Sequence, residues 1–149
     1  MMPEHTIRKA TVEDIAIVVK LFDAYRMFYQ QPSDVKGATE FITERLQNNE
    51  SVILLAFIND AAAGFVQLYP IFTSVGMKRT WLLNDLYVDP FFRGKGTASA
   101  LLEAAKEFGR STNSKWLMLQ TSDTNAAAQA LYEKNGWHKE TDIFYSIAL

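Results

Sequence analysis

The chain reads as a mixed α/β (α+β) protein: a largely antiparallel, twisted sheet of about six or seven strands flanked by about four helices. Three observations point there. Apolar residues recur at helical spacing in separate stretches, and apolar runs of strand length stand between those stretches. The two kinds follow one another as β-α-α-β-β-β-α-β-α-β, with a strand pair joined by a short turn first and strand-helix-strand units after it.

Residues 5–10 are expected to form a short first strand. Thr11 then reads as a helix N-cap, with Asp14 three positions on completing an approximate capping box. Ile15, Val18, Val19, Phe22, Tyr25 and Tyr29 keep helical spacing, so a first helix is expected through about residue 28. Gln31-Pro32-Ser33-Asp34 breaks it, and Ala38, Phe41, Ile42 and Leu46 share one face of a second helix ending near Gln47. Val52–Ile58 and Gly64–Tyr69 flank the turn Asn59-Asp60 as a hairpin. Trp81–Val88 is a further strand, stopped by Asp89-Pro90. A helix follows from about Gly96 to Arg110, with Ala98, Leu101, Leu102, Ala105 and Phe108 inward. Lys115–Gln120 reads as a strand, Asn125–Lys134 as a helix stopped by Asn135-Gly136, and Phe144–Leu149 as a final strand. There is room for one more short strand near Trp137.

A length of 149 residues fits one domain, residues 1–149, and 48% apolar with 13% aromatic residues is enough to fill its core. The chain has no cysteine, which excludes disulfides, thiolate metal sites and cysteine nucleophiles. His5 and His138 are the two histidines, and no carboxylate spacing joins them into a metal site, so no metal is expected. A net charge of −2 with intermixed signs gives no footprint for nucleic acid. The start Met-Met-Pro-Glu-His lacks a signal-peptide pattern, and no apolar run is long enough to span a membrane, so a cytoplasmic protein is expected.

The informative stretch runs from Asn84 to Ala98, where a strand enters a loop with two glycines and a helix begins. Free N–H groups at a helix start bind phosphate oxygens, helped by the helix dipole. Glycine lets an anion approach the backbone. Arg93 and Lys95 add positive charge, and Ala98 is small. A Walker A loop does not fit, because Lys95 precedes Gly96 and Pro90 and Phe91 stand where the first glycine belongs. A Rossmann fingerprint does not fit either, since this loop has two glycines and lies late in the chain.

Arg93-Gly94-Lys95-Gly96-Thr97-Ala98 instead resembles the R-x-x-G-x-A pyrophosphate signature of the GNAT superfamily, the Gcn5-related N-acetyltransferases. A second stretch, from Asn125 through Ala128, Leu131 and Tyr132 to Gly136-Trp137, is similar to that family's N-x-x-A-x-x-L-Y-x-x-x-G-[FW]. The resemblance is strong over residues 81–149; residues 5–80 match in element order.

The resemblance implies a sheet splayed where acetyl-coenzyme A binds. Backbone groups on Leu86, Tyr87 and Val88 would meet the pantetheine arm. Amides of Arg93, Gly94, Lys95, Gly96, Thr97, Ala98 and Ser99 would hold the pyrophosphate. Asn125 would contact the cofactor near the pantetheine, with Ala128 lining its path, and Tyr132 would stand near the thioester sulfur. Direct transfer to an amine in a ternary complex needs an oxyanion donor and a proton for the leaving thiolate, for which Val88 N–H and Tyr132 are the candidates. Asp85 is the best carboxylate for the amine's proton, acting through water, while alternation turns Asn84 to the other face. Some family members carry a glutamate near this position, which leaves the base open between Asp85 and another group. Tyr29, Tyr69 and Asp85 are the expected acceptor contacts. The strand Trp81–Val88 and the chain's end look most like the polyamine and histone-type branch, which implies a small cationic amine or lysine-like acceptor. A homodimer is also implied. A non-catalytic acyl-CoA-binding module, or a transferase for another acyl group or acceptor, stays open.

Overall fold

A computed structural model describes residues 2–149, and among these described residues nine helices and strands follow one another. In order they are β1 (Thr6–Lys9), α1 (Ile15–Phe28), α2 (Val35–Gln47), β2 (Val52–Ile58), β3 (Ala61–Thr73), β4 (Lys78–Val88), α3 (Thr97–Ser111), β5 (Leu117–Met118) and α4 (Ala126–Lys134). The sheet runs β1-β2-β3-β4-β5. Its first three pairings are antiparallel and β4–β5 is parallel, which makes it mixed as expected.

Alternation along the strands splits the apolar residues between the two faces. Ile53, Leu55 and Phe65 pack with Val18, Val19, Phe22, Ala38 and Ile42 of α1 and α2. Val52, Leu54, Val66, Leu68, Trp81 and Leu83 pack on the other face with Leu101, Leu102 and Ala105 of α3. Among the described residues, no helix is long and apolar enough to cross a membrane.

The start of α1 follows its sequence signals. A 3-10 turn, Val12–Asp14, leads into the helix. Thr11 Oγ1 accepts from Glu13 N–H at 3.3 Å, and the Asp14 carboxylate accepts from Thr11 N–H at 2.9 Å. Asp14 also takes two hydrogen bonds from the Arg8 guanidinium, at 2.7 and 2.8 Å, tying β1 to α1. These bonds, the arginine's first, hold its carboxyl at about 2 instead of 3.8. The break between α1 and α2 is also pinned. Asp23 accepts from Ser33 Oγ at 2.7 Å and Asp34 N–H at 2.8 Å, and Asp34 caps α2 by accepting from Gly37 N–H at 2.9 Å.

Three expectations change. The β3–β4 hairpin is longer than the sequence suggests, because Pro70 does not end β3. It pairs with Trp81 where β3 has run past its last β2 partner, Leu68, so proline there interrupts no ladder on that side. The sheet has five strands where six or seven were expected. Phe144–Leu149 and the chain near Trp137 lie in no strand, and β5 shrinks from the expected 115–120 to Leu117–Met118. A strand exists only through its neighbours, and β5 has one neighbour, at its parallel edge with β4.

The Asp14 bonds yield a first prediction. The depressed pKa means that their stabilisation is complete above pH 3.8 and is lost as pH falls through about 2. Asp14→Asn should cost about 1–2 kcal/mol at neutral pH by removing the cap and the arginine pair. It should also flatten the acid limb of the stability curve between those pH values. Denaturant titrations of both proteins across this range provide the check.

Candidate active site

Strand β4 organises the site. Leu68 of β3 pairs with Leu83, and the next pair is Gln67 with Asp85, so Asn84 is one extra residue. This β-bulge reverses the alternation. Trp81 and Leu83 face α3, whereas Tyr87 faces α1 and α2. Asp85 follows Tyr87 to that side and lines a cleft of about 310 Å³ beside α1. Asn84, which simple alternation would turn away, lines the same cleft and donates from Nδ2 to Asp85 Oδ1 at 2.9 Å.

The cleft wall is aromatic: Phe22 and Tyr25 from α1, Tyr29 just past its end, Phe41 from α2 and Tyr69 from β3, with Arg26 and Gln31 at its side. Of the expected acceptor contacts, Tyr29, Tyr69 and Asp85 are thus brought together. Phe28 lies outward, its ring against Tyr87 and the Arg93 guanidinium.

Asp85 is 4% exposed. Gln67 Nε2 donates to its Oδ2, and Gln67 Oε1 in turn accepts from Ser51 Oγ at 2.8 Å, all within the core. The Tyr25 hydroxyl donates beside it, to Asn84 O at 3.5 Å. Burial outweighs these bonds and raises the Asp85 carboxyl above its ordinary value. Burial and the Asp85 charge push the Tyr69 phenol up to about 12 and raise that of Tyr25 as well. The Tyr132 phenol is raised by burial and then by Tyr29.

On the other side, β4 parts from β5. Among the described residues the two pair at Trp81–Leu117 and Leu82–Met118, with backbone bonds to Lys115 and Trp116 just before them. Asp89 N–H donates to Ala63 O of β3 at 2.9 Å. Alternation therefore turns the N–H and C=O groups of Leu86 and Val88 towards the open edge. Tyr87 differs: its residue partner is Phe65 and its side chain is buried. Arg93 Nε donates to Val88 O at 2.9 Å, with the guanidinium over the rings of Phe28 and Tyr87.

The glycine loop follows a 3-10 turn, Pro90–Phe92, and the Lys95 ammonium rests on Phe91 and Phe92. Gly94 and Gly96 take φ values of +75° and +79°, the left-handed region that favours glycine. Gly96 is the N-cap of α3 and has no side chain to bond the helix's first amides. The N–H groups of Thr97, Ala98 and Ser99 consequently point out of the helix start. The side chains beneath are tied down: His5 Nε2 lies 3.0 Å from Thr97 Oγ1, and Ser99 Oγ accepts from Asn135 Nδ2 at 3.1 Å. Asn125 caps α4 by accepting from Ala128 N–H at 3.1 Å. Tyr132 packs half-buried against Trp137, ring centroids 6.2 Å apart.

Several cleft residues were not foreseen. Tyr25 and Phe41 looked like ordinary members of amphipathic helices. Gln67 carried a signal: it is a lone amide inside the apolar run Gly64-Phe65-Val66-Gln67-Leu68-Tyr69. An amide buried there requires partners.

Known proteins share this architecture. Residues 18–137 match the acetyltransferase (GNAT) family. The uncharacterized N-acetyltransferase YhfO of Bacillus subtilis (strain 168) is 49% identical over 139 residues, 93% of each chain. The crystal structure of a probable acetyltransferase superposes with a TM-score of 0.93 at 37% identity, covering 97% of both chains. A predicted acetyltransferase of Clostridium acetobutylicum, solved with acetyl-CoA, shares the fold with a TM-score of 0.77 at 20% identity, covering 97% of this chain and 96% of that one. With two sequence motifs in place on the matching fold, and a family match that spans most of its length, the chain belongs to the acetyltransferase (GNAT) family.

Proposed function

We propose that residues 1–149 act as one domain that transfers an acetyl group from acetyl-coenzyme A directly to a primary amine. The observation that carries this reading is the double role of β4. Its open edge and the following glycine loop lie at one end, and its bulge presents Asp85 to the aromatic cleft.

The donor site is supported by its hydrogen-bond chemistry. The amides of Thr97, Ala98 and Ser99, with the dipole of α3, suit a pyrophosphate, and the loop from Arg93 to Gly96 adds backbone and charge. Open space lies where a Cβ of Gly94 would stand. Leu86 and Val88 offer a free strand edge to the pantetheine arm. Arg93 leaves Val88 O when the arm binds. Asn125 and Ala128, at the start of α4, would line that arm.

The chain's own groups then share the transfer. Asp85 takes a proton from the acceptor ammonium through water. The freed amine forms the C–N bond, Val88 N–H polarises the thioester oxygen, and the C–S bond breaks. Tyr132 gives its proton to the sulfur and recovers one from the new amide nitrogen. Burial keeps the Tyr132 phenol protonated at neutral pH, the form that a general acid needs. A buried carboxylate walled by aromatic rings favours a cationic acceptor, a small amine or a lysine-like group.

A screen of polyamines, amino acids, aminoglycosides and lysine peptides with acetyl-CoA, followed by thiol release, tests the reading. Turnover with at least one cationic amine is expected. Failure of all of them while coenzyme A still binds would sink the enzyme assignment. Tyr132→Phe should lower kcat by about 10²-fold or more and leave coenzyme A affinity within about twofold. Equal losses in both would assign the tyrosine to packing. Asp85→Asn should lower kcat/KM and remove the acid limb of its pH profile. In the unmodified protein that limb rises as the carboxyl ionises, at a pKa above 3.8. Gly96→Ala forces a side chain into the left-handed region, at about 1–2 kcal/mol, and should raise KM for acetyl-CoA with little change for the amine.

A further inference from the structure

The aromatic cleft holds a second charged group that the transfer does not use. Asp85 is buried among its lining residues, and Arg26, in the last turn of α1, stands half-buried at its side. The other arginines are engaged with the protein's own groups. Arg8, Arg45 and Arg110 pair with carboxylates, and Arg79 and Arg93 lie over aromatic rings.

Arg26 does neither among the described residues. Its guanidinium donates from Nη1 to Pro32 O at 3.3 Å. The carboxylate one turn back on α1, Asp23, has each oxygen engaged elsewhere, by Ser33 Oγ at 2.7 Å and by Asp34 N–H at 2.8 Å. A guanidinium is a planar fork of five donors that fits a carboxylate two bonds at a time. One bond to a carbonyl leaves most of that fork unoccupied. The cleft itself, at about 310 Å³, is at the small end of ligand sites, which run about 300–1,000 Å³, and suits a single small molecule.

We infer that the acceptor is a free diamino acid, its carboxylate on Arg26 and its side-chain amine beside Asp85. An acid and a base lining one small cleft match an amine and a carboxylate on one small ligand, and the aromatic wall covers the methylenes between them. Polyamines and aminoglycosides lack the carboxylate, and a lysine inside a peptide has lost it to an amide. The chemistry rests on the transfer proposed above. The side-chain nitrogen forms the C–N bond, the thioester C–S bond breaks, coenzyme A leaves as the thiol and one proton is released. Arg26 takes no part in those steps and sets which amine is chosen.

L-Lysine and pentane-1,5-diamine differ only in the carboxylate, so comparing them isolates it. The kcat/KM for lysine should exceed that for the diamine by about tenfold to hundredfold, the range of hydrogen bonds to a charged group. Mass spectrometry should place the acetyl group on the side-chain nitrogen. Arg26→Ala should bring the ratio close to one, with coenzyme A affinity reporting that the variant is folded, and Arg26→Lys should restore part of it. Calorimetric titration of both amines into the enzyme with coenzyme A bound reads the same preference without turnover. Equal or better use of the diamine would overturn the inference and leave the transfer reading standing. So would acetylation of the α nitrogen, or a preference for lysine that Arg26→Ala leaves intact. If neither amine is acetylated but lysine binds better in a way that needs Arg26, the transfer reading falls and the carboxylate site stands. A lysine that neither reacts nor binds would remove the site.

Discussion

Strand β4 holds one residue more than its partner between Leu83 and Asp85, and everything around the cleft follows from that insertion. Before it, alternate side chains feed the core under α3. After it, they feed the core under α1 and α2. Without the bulge, Asp85 would enter the α3 core beside Leu83 with no aromatic cleft to open on. The same local kink comes where β4 and β5 have just separated, so one short segment turns an acid towards one side and free backbone towards another.

An acid placed so deep is costly to ionise, and the protein meets that cost with a chain of neutral donors. Ser51 orients Gln67, Gln67 and Asn84 donate to the carboxylate, and the Tyr25 hydroxyl donates to the backbone carbonyl of Asn84. No cation is among them, so the carboxyl stays raised. A guanidinium in that position would have lowered it, as Arg8 does for Asp14. The contrast between the two aspartates separates an ion-paired clamp from a buried acid held by neutral donors alone.

Local chemistry was legible in the sequence. The Thr11–Asp14 cap, the glycine helix start at Gly96 and the stop at Asn135-Gly136 each depend on residues a few positions apart. So did the facing of most strands. Asn84 was misplaced because a bulge is decided by pairing with a strand far along the chain. Gln67 was overlooked for the same reason, since its partners Ser51 and Asp85 are distant in sequence. Phe144–Leu149 was read as a strand from its pattern, but pattern specifies a willing strand and says nothing of where its neighbour stands.

The Arg93 side chain across Val88 O has a consequence for solubility. A sheet with an unpaired edge offers that edge to any stray extended peptide, including another copy misfolded nearby. A charged group laid over the exposed carbonyl makes such docking unfavourable, and because it is a surface side chain it can swing aside. An arginine so placed takes up the one carbonyl that an added strand would need, and its loss should show first in how the protein keeps at high concentration.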